Sequence, residues 1–261
     1  MRYLRLYLHF VRFSFSKAMQ FRVDFFFRVL MDIVFYLIQF VFFSVIYLHT
    51  DILAGWNIEQ MKIFISGYIF IDALNMTVFS NNTWWLPQHI NQGDLDYYLT
   101  KPVSSLFFLS FKEFAANSFL NLIIASGLVY WSISSYSGDL SSIKIFIYLL
   151  LLINGTLLYF FSHFLFLMSS FWTQSPRGFA DVFYSVSHTM ERPDRIFKGT
   201  ARVLFTYILP FSVMASYPAR FLLESFSVEI LITMLGMTFV LFTILLLVWK
   251  KGLSVYSSAS S

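Results

Sequence analysis

VEILITMLGMTFVLFTILLLVW, residues 228–249, carries a single charged side chain, Glu229. As a helix, rising roughly 1.5 Å per residue, it is about 33 Å long. That matches a bilayer hydrocarbon core of about 30 Å. The run does not alternate apolar with polar residues, so it is not a barrel strand. Similar runs occupy Val29–Leu48, Lys62–Phe79, Phe114–Ile133 and Ile143–Phe171. Over 261 residues, 58% are hydrophobic, 21% aromatic and only 12% charged. A chain this apolar cannot cover itself with polar surface, which excludes a soluble enzyme and a disordered chain. The fold class is an all-α integral membrane protein, since lipid admits only helices or closed barrels.

Charge sets the topology. Arg2, Arg5, Arg12, Lys17, Arg22 and Arg28 precede the first span and hold the N-terminus in the cytoplasm. Residues 49–61 are then external and 80–105 cytoplasmic. The turn at 134–142 is external, and that at 173–178, with Pro176 and Arg177, is cytoplasmic. Phe179–His188 is apolar but short and reads as a fifth span. Pro193, Pro210 and Pro218 then break the chain, so residues 191–222 read as an external re-entrant segment packed on protein. Six transmembrane helices in a single domain, 1–261, leave both termini cytoplasmic, in agreement with Lys250-Lys251. One observation runs against this: Arg192, Arg195, Lys198 and Arg202 outnumber Glu191 and Asp194 on the external side.

Residues 1–22 form an amphipathic interfacial helix. Arg2, Arg5, His9 and Arg12 recur at helical spacing as one polar stripe toward anionic headgroups, while Leu4, Leu6, Tyr7, Phe10, Val11 and Phe13 cover the rest. The alternative is a plain cytoplasmic flank that only sets orientation.

Legible catalytic chemistry is missing. The chain has no Cys, and no glycine is followed by lysine, so a phosphate-binding G-x-x-x-x-G-K-[ST] loop is excluded. The five His are scattered, with no metal-ligand spacing. Ser141–Lys144 reads S-x-x-K but sits in a polar turn. The net charge of +4 bears on topology and gives no reason to expect a nucleic-acid partner. Three polar groups lie inside spans: Asp72, Asn75 and His163. They either line a path, where Asp72 would suit a cationic cargo, or hydrogen-bond between helices. Asp32 is expected to pair with Arg28; Gln39 and Asn154 are expected at helix contacts.

The cytoplasmic stretch WWLPQHINQGDLDYYLTKP, residues 84–102, is the informative one. Pro87 suits a first helical turn, and Leu86 and Ile90 share a face. Gly93 permits a bend, Asp94 can cap a second helical turn, and Pro102 ends it. Such a helix either docks into another protein or packs on its own bundle. The order of elements, His49-Thr50 with Ala54-Gly55-Trp56, and GDLDYYLTKPVSSLF at 93–107 resemble the permease subunits of type-2 ABC exporters, narrowly a six-span bacterial subfamily. The sequence departs from that pattern at Ala54, often Gly, and Ser105, often Pro.

The resemblance implies a bacterial inner-membrane, multi-pass permease with no catalytic residues, cofactor or metal of its own. ATP and Mg would be bound by a separate ATP-binding-cassette ATPase in two copies. A second permease subunit, identical or homologous, and membrane lipids are the other implied partners. Leu86, Ile90, Gly93, Asp94, Leu95, Asp96, Leu99, Lys101 and Pro102 would couple to the ATPase. A secondary transporter is the rival, but the halves show no internal repeat and 84–102 would go unexplained. A membrane scaffold is the other; an intramembrane enzyme lacks a nucleophile–base pair.

Overall fold

The computed structural model describes residues 2–18, 22–173 and 178–257. Outside the described residues lie 19–21, the turn with Pro176 and Arg177, the end of the Ser-rich tail and the Arg2 and Arg22 side chains. Regular structure among the described residues is helical, apart from one isolated bridge between Leu53 and Trp56. The N-terminal half runs α1 (Arg2–Ala18), α2 (Arg22–Tyr47), α3 (Ile58–Asn75), a π turn (Met76–Ser80), α4 (Asn81–Trp84), α5 (Leu86–Gln92), α6 (Leu95–Leu99) and α7 (Ser105–Phe111). Next come α8 (Ala116–Ser134), α9 (Ser142–Met168), α10 (Ser170–Thr173) and α11 (Gly178–Ser187). Two 3-10 turns (His188–Glu191 and Asp194–Ile196), α12 (Gly199–Val203), a π turn (Leu204–Ile208), α13 (Phe211–Leu223) and α14 (Val228–Val255) complete it.

Five stretches among the described residues are long and apolar enough to cross a membrane: Phe25–Tyr47, Ile58–Gln92, Ala116–Ser134, Ser142–Thr173 and Val228–Val255. The expected fifth span is α11, whose 10 residues reach about 15 Å, half the hydrocarbon core. The chain beyond it continues as turns, not as a continuous crossing helix. The second span starts earlier than its apolar run, at Ile58. The Asn57 side chain accepts from the Gln60 amide and the Gln60 side chain accepts from the Asn57 amide, a capping box.

α3 and α9 form the centre. They approach closely because small residues face the contact. A Cβ on Gly155 would sit 2.5 Å from the Met214 carbonyl oxygen of α13 and 2.9 Å from Ile71 Cδ1 of α3. Ser66 and Ser132 hydroxyls meet at 2.7 Å between α3 and α8. Asn154 donates to Thr238 Oγ1, joining α9 to α14 as expected of it. Asp32 takes its hydrogen bond from Asn121 of α8, a partner on another span, while Arg28 acts on it electrostatically.

The 191–222 segment packs as a hairpin. At one end Arg220 pairs with Asp194 (3.0 Å), Arg195 with Glu224 (2.8 Å), and Lys144 at the start of α9 donates to the Glu224 carbonyl. At the other end of α13, Phe211 meets Phe183 of α11. So α13, about 20 Å long, runs from the depth of the bundle to its surface. Glu191, counted among loop charges by sequence, is buried instead. Gln39 Nε2 donates to its Oε2 (3.1 Å), the Tyr68 hydroxyl to Oε1 (3.3 Å), and His188 Nδ1 lies 2.6 Å away. One carboxylate thereby ties α2 and α3 to the turn after α11.

Candidate functional site

The end of the bundle opposite the Asp194 cluster carries α1 and α4–α7. The expected coupling stretch is two short helices, with the bend that Gly93 permits between them. Gly93 ends α5 with φ +83, a left-handed conformation that costs a Cβ-bearing residue about 1 kcal/mol or more. Asp94 opens α6, but its side chain makes no cap bond; its carboxylate faces His89 Nδ1 at 3.6 Å.

Leu86, Ile90 and Leu95, expected to meet a partner, are buried at 0%, 7% and 0% exposure. They pack into the chain's own second core with Phe160, Phe164 and Leu167 of α9 and Leu245 of α14. Their helical spacing reflects that internal packing, so they hold the segment in place and offer nothing outward. What remains open is a patch of Gln92, Asp94, Tyr97, Leu99, Thr100 and Pro102. Asp96, Gly93 and Lys101 are half-buried at its edge, with the Lys101 ammonium 3.8 Å from the Tyr97 ring centre.

Beneath the patch lies a polar network that the sequence did not reveal. Lys112, just after α7, donates to the Tyr98 hydroxyl of α6 (2.7 Å) and meets His89 Nε2 of α5 (2.9 Å). One ammonium thus fixes three short helices relative to each other. Burial lowers the Lys112 pKa; Glu113 and Asp94 oppose that shift and Lys17 adds to it. Asn82 of α4 donates to the Glu113 carbonyl and accepts from the Glu113 amide, anchoring the same corner to the end of the α3 span.

α1 docks on this unit. Tyr3 packs on Phe107, Tyr7 on Phe111 and Phe10 on Phe108, each edge to face. Ser14 accepts from the Phe114 amide. Positions 3, 7, 10 and 14 form one helical stripe. Arg5, His9 and Arg12 are exposed on the opposite face. A third face, with Leu4 and Leu8 at 65% and 50% exposure, is apolar and open.

The polar groups of the spans do not converge on one another. Asp72 is half-buried on α3, within electrostatic reach of Asp32, Glu191 and His188. Asn75 is buried one turn on. His163 is buried on α9, stacked on Phe183 at 4.3 Å, and its Nδ1 has no partner among the described residues. Tyr159 and Tyr184 lie between, close to the His163 ring and within electrostatic reach of Asp72. Among the described residues, no three His, Asp or Glu side chains are grouped to hold a metal.

A family model described as ABC-2 family transporter protein matches residues 33–260. No curated protein and no solved structure matches the chain.

Proposed function

The chain belongs to the ABC-2 family of transporter membrane proteins, and on that premise we propose that it is the permease subunit of an exporter driven by a separate ATPase. The observation that carries this reading is the exposed patch Gln92–Pro102 held on a rigid base. A partner that pushes on Asp94, Tyr97 and Leu99 pushes on α5–α7 as one body, because Lys112, Tyr98 and His89 lock them together. Leu86, Ile90 and Leu95 pass the displacement to α9 and α14 through the second core. The sequence itself has no phosphate-binding loop, so hydrolysis belongs to two ATP-binding-cassette subunits acting in trans. Two permease subunits, identical or homologous, would enclose the path, and rigid-body motion would open it alternately.

In this reading the α4–α7 end is cytoplasmic, as are both termini, in a bacterial inner membrane. The sixth crossing is made by α11 together with the turns after it, with α12 and α13 re-entrant from the outside. Asp72 and His163, joined by Tyr159 and Tyr184, flank the path and suit a cargo that is partly aromatic.

Asp94→Ala combined with Asp96→Ala tests the coupling. The variant is expected to reach the membrane and lose ATPase co-purification about tenfold, the scale of losing one charge-assisted contact. Unchanged ATPase recovery with a normal yield would reject the patch as the coupling surface.

A further inference from the structure

A cavity of about 820 Å³ lies between α1, the start of α2, the α4–α6 corner and the start of α8. That volume falls within the range of small-molecule pockets. Its walls carry three cations, Lys17, Arg28 and Lys112, against one carboxylate, Glu113, and Arg28 also acts on Asp32 one turn along α2. They are distinct from Arg5, His9 and Arg12 on the far face of α1. The remainder is strongly aromatic, including Phe13, Phe25, Trp84, Trp85 and Tyr97.

Two details point to an anion. Lys112 has three N–H donors, and its two partners, His89 and Tyr98, take two of them. Lys17 and Lys112 also repel one another, a weaker effect on Lys112 than the pull of Glu113 and Asp94. A negative group between them would take the third donor and relieve the repulsion. The site sits where the ends of α2, α3 and α8 meet α1, which in the topology proposed above is the height of the lipid headgroups. Phosphate fits the cations and acyl chains fit the aromatic walls, whereas a free anion would leave those walls unfilled.

We propose that this cavity holds an anionic phospholipid, its phosphate among Lys17, Arg28 and Lys112 and its chains along Phe25 and Trp84. The lipid touches both α1 and the corner that bears the exposed patch, so it stiffens the coupling unit from the membrane side. Only the leaflet that supplies the lipid rests on the orientation given above. Binding itself is measured on the permease alone, so its failure would leave the ATPase reading untouched.

The experiment uses the full chain in phosphatidylcholine nanodiscs doped with brominated-chain phosphatidylglycerol or, separately, brominated-chain phosphatidylcholine. Bromine quenches nearby tryptophan, and Trp84 and Trp85 report on the cavity. Phosphatidylglycerol should quench more strongly at equal mole fraction. The excess should vanish when Trp84→Phe and Trp85→Phe are combined. Lys17→Gln and Arg28→Gln should each cut the lipid preference about fivefold, while the charge-keeping Lys17→Arg with Arg28→Lys retains it and shows that the fold survives. Millimolar inorganic phosphate should leave the excess intact. Equal quenching by the two lipids would overturn the proposal, as would an excess that survives loss of both cations. Competition by inorganic phosphate would also overturn it, reassigning the site to a free anion.

Discussion

Two pairs of spans differ in a way that inverts the rule for water-soluble proteins. α2 and α14 contain the more apolar 18-residue stretches, yet only 17% of each such stretch is buried in the chain. Those of α3 and α9 are less apolar, and 67% and 56% buried. In water the most apolar helix goes inside. In lipid there is no such drive, and the inside goes to helices that can approach closely or hydrogen-bond. α3 and α9 have Gly67, Ser66, Asn154 and Gly155 at their contacts. α14 instead presents Ile232, Leu235, Phe239 and Leu247, all above half exposed, and α2 presents Phe26, Met31, Leu37 and Val41. Those faces are left for lipid or, in the proposed complex, for a second permease.

Gly155→Leu strikes the centre of the buried pair. It should cost about 3 kcal/mol or more, because backbone of α13 occupies the space it needs. Gly236→Leu on α14, where a Cβ meets nothing within 4 Å, should leave detergent melting nearly unchanged. Equal losses would break the contrast between the pairs. Glu191→Ala removes the staple between exposed α2 and buried α3 and leaves Gln39 and Tyr68 without their acceptor. A loss of about 2–3 kcal/mol is expected in the same melt, and a neutral result would mean that α2 is held by its side-chain packing alone.

Ala54→Gly acts in the opposite direction. Ala54 and Gly55 have φ of +55 and +83 in the tight turn closed by Leu53 and Trp56, between α2 and α3. Glycine there should raise stability by about 1 kcal/mol. Phe239→Ala on the open face of α14 should change the melting of the single subunit by less than about 0.5 kcal/mol. A larger loss would show that this face is covered in the purified protein, and cross-linked dimer would identify the cover.

Much of this was legible from the chain. Apolar runs placed five long helices, Gly93 marked the break between α5 and α6, and Asn154 proved to be an interhelical contact, while Gln39 meets Glu191 in the turn after α11. The ranking of spans by burial was not, since hydropathy reports fitness for lipid and says little about which helix sits centrally. Glu191 read as a loop charge because it stands among Arg192, Pro193 and Asp194, and only folding brings Gln39 and Tyr68 to it. Lys112, His89 and Tyr98 share no periodicity, so their network had no signature. Two signals were present and went unread: Asn57 with Gln60 as a capping box, and the Tyr3, Tyr7, Phe10, Ser14 stripe as a docking face. For Leu86, Ile90 and Leu95, helical spacing is the same whether the face meets a partner or the chain's own core, so sequence alone could not separate the two.

Whether the proposed ATPase docks on the exposed patch can be asked with a single thiol. The chain has no Cys, so Leu99→Cys provides a unique attachment point, and buried Leu95→Cys is the matched control. A maleimide photo-cross-linker at position 99, activated in native membranes, is expected to capture a protein bearing the G-x-x-x-x-G-K-[ST] loop, and position 95 should capture none. Purified chain that carries cargo on an ion gradient alone, with position 99 joined to no such protein, would contradict the proposal that a separate ATPase drives this permease.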